Sequence, residues 1–263
     1  MLFQWIDHED LTNKEQLMSV VYDTGMITKQ QLQEITGWSF HKLTNAIRDA
    51  RKLGEPKDSW LRSVYGTNRG NNKMTAAYTL GKKSIKYIQN LRQLPYQPSK
   101  EAPESQRGHF LGINNFICRC VESFGRSTLE FYSSYEIGDQ LIIEWNDLKQ
   151  SEINHRHVLR PDGRMKVSNQ LDVFFEFDNN TEMARMLEDK FHRYIQFYQE
   201  LNLDFPVIWV TTDEKRKQFL KKNWEGLLEI SYMGQNVPEM HFFLPGEEIT
   251  WMEQQVNIPP KIR

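Results

Sequence analysis

Asp162, Glu176, Asp178 and Lys190 are the residues of this chain whose types and spacing could do chemistry. Asp162 follows a proline in Leu159-Arg160-Pro161-Asp162-Gly163, where a turn is expected. Glu176 and Asp178 end the run Leu171-Asp172-Val173-Phe174-Phe175-Glu176-Phe177-Asp178, which is apolar enough to be a strand buried on both faces. Strand alternation puts these two carboxylates on one side, roughly 7 Å apart. Burying a polar group there without a partner costs ~2–7 kcal/mol, so each needs a cation, a hydrogen bond or a shifted pKa. A hard-metal site for phosphate chemistry follows. Asp162 and Glu176 would hold Mg²⁺ or Mn²⁺, with the Phe177 carbonyl and Asp178 as further oxygen ligands. Such an ion polarises a scissile phosphate and lowers the pKa of a bound water. Lys190, on the helix expected next, could orient that water or stabilise charge on the phosphate, and Asp178 could hold Lys190 instead. The same residues would also serve as a buried carboxylate–lysine network in a sheet without activity.

The elements that must position these groups alternate helix and strand. A helix is expected over 111–124, a strand over 129–135 and a short apolar run over 141–145. The carboxylate strand follows, then a helix over 181–201, a strand over 205–210 and a helix over 215–228. This is an α/β pattern, a mixed sheet flanked by helices. Tyr194 and Tyr198, four apart on the long helix, invite a covalent tyrosine mechanism, but both lie on its apolar stripe, where core packing is the simpler role. His155 and His157 flank Arg156 and could contact phosphate or metal, or be solvated loop residues. Glu122 could approach as an accessory ligand or be a surface carboxylate. Lys215-Arg216-Lys217 and Lys221-Lys222 read as a solvated basic face or as a DNA backbone contact.

The 263 residues suffice for one large domain or two modest ones, and the net charge of −2 conceals an asymmetry. Residues 1–100 carry 15 Lys and Arg against 9 Asp and Glu, net +6, while the rest carries 18 against 26, net −8. A basic module joined to an acidic one is expected. The basic module, 1–92, reads as two helices, a tight turn at Gly37-Trp38-Ser39, and a third helix over 40–53. Two short strands and a further helix follow. That order is a winged helix-turn-helix. Lys42, Asn45, Arg48, Arg51 and Lys52 on its third helix would meet double-stranded DNA, with Arg69 and Lys73 reaching from the hairpin loop. The same fold can serve as a dimerisation element. Residues 93–108 hold three prolines and few large apolar residues, so they read as a linker, with a second domain over 109–263. Cys118 and Cys120 read as buried free thiols. No apolar run approaches a membrane span and no signal peptide opens the chain, so a cytoplasmic protein without a membrane partner is expected.

The order helix, strand, acidic turn, carboxylate strand, long helix, strand resembles the restriction-endonuclease-like, or PD-(D/E)xK, superfamily. Pro161-Asp162 matches its first motif half and Glu176-Phe177-Asp178 its second. In the usual pattern lysine occupies the place of Asp178. Here that place is acidic, and Lys190 could enter the same space from the helix. Over residues of about 11–212 the chain is similar to the replication-relaxation family, which joins a winged helix to such a nuclease domain and includes MobC/TraX-type plasmid relaxases. The resemblance rests on His109-Phe110-Leu111-Gly112-Ile113-Asn114, on Leu159 to Gly163, and on Phe175 to Glu182 with Lys190 and Tyr194. It implies a divalent-metal-dependent DNA nickase at a plasmid transfer or replication origin, with accessory conjugation proteins as further partners. A symmetric homodimer would suit a palindromic site. The rival class is a replication or transcription regulator whose nuclease-like domain only docks partners. A nuclease subunit of a transposition system would share the chemistry but cut both strands or ends.

Overall fold

The computed structural model describes residues 1–54, 59–65, 76–94, 101–154, 157–180, 183–232 and 235–257. Arg69, Lys73 and the rest of the hairpin loop, residues 95–100 of the linker, His155, Arg156, Thr181 and Glu182 lie outside the described residues. The chain divides into two compact units, Met1–Ser127 and Thr128–Arg263.

The first unit opens with α1 (Asn13–Thr24), whose start is held by the Thr12 N–H donating to Glu15 Oε2 at 2.9 Å. β1 (Met26–Thr28), where only a turn is legible in the sequence, leads through the Thr28 cap into α2 (Lys29–Thr36). Gly37 turns the chain in the left-handed region, and α3 (Phe40–Arg51) follows with Leu43, Ala46, Ile47 and Ala50 inward. β2 (Leu61–Val64) and β3 (Ala77–Leu80) pair antiparallel, and β1 adds to β3, giving a three-stranded sheet in the order β1-β3-β2. α4 (Lys82–Leu91) closes this part, tied to α1 by a fully buried ion pair, Arg92 Nη1 to Asp23 Oδ1 at 2.7 Å.

α5 (Arg107–Phe124) is the helix expected to open the second domain at residue 109, yet it packs with the first unit. Asn114 Nδ2 donates to the Met26 carbonyl at 2.8 Å, and Gln31 Nε2 donates to Leu111 O at 2.9 Å and Asn115 Oδ1 at 2.6 Å. Gly25, at φ 68°, leaves room for the Phe110 ring, which a Cβ there would meet at 2.5 Å. These buried polar contacts move the division of the chain to after Ser127.

The second unit runs β4 (Leu129–Ser133), α6 (Ser134–Lys149), β5 (Gly163–Val167), β6 (Leu171–Asp178), α7 (Ala184–Leu201) and β7 (Val207–Thr211). α8 (Glu214–Ser231), β8 (Met240–Phe243) and α9 (Glu247–Gln255) complete it. The run 141–145 is not a separate element. Glu136 accepts the Ser133 N–H at 2.9 Å and starts α6, which continues through those residues with Ile137 and Leu141 as its buried pair. The sheet is five-stranded and mixed, in the order β4-β5-β6-β7-β8: antiparallel from β4 to β6, parallel from β6 to β8. The whole is α/β. β6 is central and buried along nearly its whole length, as its composition predicts. Phe174, Phe191, Tyr194, Tyr198 and Trp209 are fully buried around it. No described helix is long and apolar enough to cross a membrane.

Candidate functional site

The site lies just before the start of β5. Gly163 is the first residue of β5 and pairs with Phe175, so β6 continues for three residues past its partner strand, to Asp178. Asp162 takes the vacated place, its Oδ2 accepting the Phe177 N–H at 2.8 Å. The N–H and C=O of one strand residue leave the backbone on the same edge, so the Phe177 carbonyl faces the Asp162 side as well. Gly163 permits this close turn: a Cβ there would meet the Phe131 ring at 2.5 Å.

Glu176 is fully buried, and both its oxygens are engaged from α7. Lys190 Nζ donates to Oε2 at 2.6 Å, and the Tyr194 hydroxyl donates to Oε1 at 2.6 Å. Lys190 and Tyr194 are four apart, one turn of helix, which is why one carboxylate receives both. Lys190 Nζ also lies 5.0 Å from the centre of the Trp209 ring. Burial pushes the Glu176 carboxyl up to about 8 from the ordinary 4.5; the Lys190 charge pulls it down and the Asp162 charge pushes it further up. The phenol of Tyr194 is raised well above its ordinary 10.0, first by burial and then by the Glu176 charge. A phenol buried, neutral and committed to a carboxylate is a poor nucleophile.

Asp178 is not brought to Lys190. It is buried against Arg216 of α8, whose Nε donates to Oδ2 and whose Nη2 donates to Oδ1 at 3.2 Å. The Asn180 N–H adds a bond to Oδ1 at 3.1 Å, and Asp213 caps α8 by accepting the Arg216 N–H at 2.9 Å. The bidentate geometry commits Asp178 to joining the end of β6 to the start of α8. The two carboxylates on one strand face therefore divide: Glu176 serves α7, Asp178 serves α8.

Among the described residues no group of three or more His, Cys, Asp and Glu side chains is gathered as a metal cage. Mg²⁺, however, needs only one or two protein carboxylates, its other ligands being water and phosphate oxygens. Asp162 and Glu176, close enough for the charge of one to raise the pKa of the other, match that smaller requirement, with the Phe177 carbonyl on the same edge.

A family model described as replication-relaxation matches residues 4–207. The chain belongs to the replication-relaxation family. No curated protein and no solved structure matches it. Membership in the replication-relaxation family suggests a role in plasmid replication or relaxation.

The other predicted residues of this replication-relaxation protein scatter. On α3, Asn45, Arg48, Arg51 and Lys52 are exposed, whereas Lys42 is half-buried and bonded to Asp7 at 2.9 Å. Asp49 lies 3.2 Å from Arg48 and 3.9 Å from Lys52, which moderates the positive face. Glu122 is exposed on α5 of the first unit, and His157 sits in an exposed turn, not on a strand. The basic stripe of α8 breaks up: Arg216 is buried, Lys217 pairs with Glu247 at 2.7 Å, and Lys215, Lys221 and Lys222 remain exposed. Cys118 and Cys120 are buried free thiols, and burial pushes the Cys118 thiol up out of reactive range. Two contributors went unread. Arg216 lies four residues before the buried Leu220 and eight before the buried Trp224, an inward stripe hidden in a basic run. Tyr194 lies in the core, as its place on the apolar stripe predicts, and its spacing of four from Lys190 also lets it share the Glu176 carboxylate.

Proposed function

We propose that this protein is a divalent-metal-dependent DNA nickase that acts at a plasmid transfer or replication origin. The observation that carries the reading is the convergence of Asp162 and Glu176 where β6 outruns β5, with the Lys190 amine on Glu176. The β4-β5-β6 meander, the α7 crossover and parallel β7 support a restriction-endonuclease-like assignment for the second unit. In the first unit, α2, the Gly37 turn, α3 and the β2-β3 hairpin support a winged helix-turn-helix that binds double-stranded DNA. Exposed Arg48, Arg51 and Lys52 there would neutralise backbone phosphates, and exposed Asn45 would meet a base edge.

Asp162, Glu176 and the Phe177 carbonyl would hold Mg²⁺ or Mn²⁺. Such an ion supplies charge on the scissile phosphate and an acidified water. The chain's own part is orientation. Tyr194 fixes the Glu176 carboxylate from the buried side, and Asp162 is fixed by the Phe177 N–H. Lys190, 21% exposed at its side chain, keeps a positive group at the solvent edge, where a phosphate oxygen gains a charge-assisted hydrogen bond. Asp178 and Arg216 support the strand end without touching the reacting atoms.

Supercoiled plasmid carrying the origin found beside the gene should be converted to open circles with Mn²⁺ and left intact in EDTA. Asp162→Asn and Glu176→Gln should each slow nicking by about 100-fold or more. Cutting in EDTA, or undiminished cutting by both variants, would refute the mechanism. A second reading, a non-catalytic origin-binding regulator, is favoured by one observation: both Glu176 oxygens already have protein donors. It predicts that calorimetry finds no Mg²⁺ or Mn²⁺ binding while DNA binding is intact.

A further inference from the structure

We propose that Asp7 is a built-in competitor for the DNA backbone, its carboxylate occupying two cations, Lys42 and Arg126, that would otherwise take a phosphodiester. Asp7 Oδ1 accepts from Lys42 Nζ at 2.9 Å and from Trp38 Nε1 at 3.0 Å, and Oδ2 accepts from Arg126 Nη2 at 2.9 Å. The three donors come from three places: the first turn of α3, the turn before it, and the segment just after α5. They line one open cavity of about 530 Å³ together with Thr36 and Ser39.

The carboxylate is put there by its own loop. Asp7 has φ 59°, a left-handed backbone that aspartate tolerates, and its N–H is fixed by Gln16 Oε1 at 2.9 Å. Buried Gln16 also binds the carbonyls of His8 at 2.8 Å and Leu11 at 2.9 Å, so the segment is anchored before any cation is counted. The cluster is open to solvent: the side chains of Asp7, Lys42 and Arg126 are 47%, 32% and 35% exposed. A carboxylate and a phosphodiester both present a pair of anionic oxygens to such donors. Lys42 is one turn from exposed Asn45 on α3, three residues on, so the cluster continues the surface proposed to meet DNA. Asp7 would thus hold down non-specific affinity, which backbone phosphate contacts dominate.

The inference rests on the DNA-binding reading, and the test separates the two. Asp7→Asn keeps one acceptor oxygen for Trp38 Nε1 and removes both the charge and the second acceptor, which holds Arg126 Nη2; Asp7→Ser is a second variant, and a thermal melt shows that each is folded. Binding to a DNA duplex is followed by anisotropy across a salt series. Asp7→Asn should bind about tenfold more tightly, with a log–log salt dependence steeper by about one to two phosphates. Lys42→Gln in that background should return most of the gain. Wild-type binding that the folded Asp7 variants leave equal or weaken overturns this inference alone. Absence of duplex binding by wild type and variants alike overturns the DNA reading with it. Failure of both variants to fold makes the cluster a strut and also overturns the proposal.

Discussion

Along α3 of the first unit, Asn45, Arg48, Arg51 and Lys52 stand exposed, while at the end of β6 in the second unit Glu176 and Asp178 are buried with Lys190 and Arg216 as partners. Charge of the first kind is screened by salt and acts on what approaches from solvent. Charge of the second kind feels little salt and costs desolvation. Even the buried pair of the first unit fits the contrast: Asp23 and Arg92 neutralise each other within α1 and the end of α4, with Arg92 stacked over Trp5 and Tyr22. Glu176 instead has a partly exposed amine on one side and a buried phenol on the other. A carboxylate so placed can exchange partners, whereas one locked in a sealed pair cannot.

The comparison can be broken first at Asp178. Asp178→Asn or Arg216→Met alone should cost about 3–5 kcal/mol in chemical denaturation, because each leaves a buried charge unpaired. Asp178→Leu combined with Arg216→Met should recover most of that. Single variants costing under about 1 kcal/mol would mean that α8 is held to β6 by other contacts.

Glu176 sharpens it through pH. Its folded-state pKa, about 8, lies above the ordinary 4.5. A carboxyl raised in this way contributes its full stability below about pH 4.5 and loses it as pH rises through about 8. The metal-free protein in EDTA should therefore lose on the order of a few kcal/mol across that window, and Glu176→Gln should flatten the profile. A wild-type profile as flat as the variant's would show that Lys190 keeps the carboxylate ionised throughout.

Salt should separate the units. Arg48→Ala and Arg51→Ala should each weaken duplex binding and reduce its salt dependence by about one phosphate contact, while Glu176→Gln leaves both unchanged. The smallest expected effect is that of Tyr194→Phe: about 1 kcal/mol of stability from one hydrogen bond, with nicking retained within about tenfold. Complete loss of nicking by a folded Tyr194→Phe protein would restore the covalent tyrosine mechanism.

Much of the fold was legible because it depends on local pattern. The α3 stripe of Leu43, Ile47 and Ala50 and the apolar β6 run both appear where periodicity places them. The short strands β1 and β5 were not. β5 alternates buried and partly buried residues over only five positions, and β1, three residues long, exists because β3 is there to pair with it. Residues 141–145 have a strand's composition and lie within a helix, since the Ser133 cap sets the local conformation upstream. Nothing local in α5 says which unit it joins; Gly25, Gln31 and the Met26 carbonyl, 80 or more residues earlier, decide that.

By itself the sequence determined that carboxylates would be buried at one strand end, that a lysine would follow on a helix, and that positive charge would gather at the other end of the chain. Side-chain alternation and composition are enough for this. Only the tertiary structure decided the partners: Lys190 for Glu176, Arg216 for Asp178, Lys42 and Arg126 for Asp7. A buried or clustered charge takes whichever opposite charge the packing delivers within hydrogen-bond reach, and that distance is a property of the folded chain.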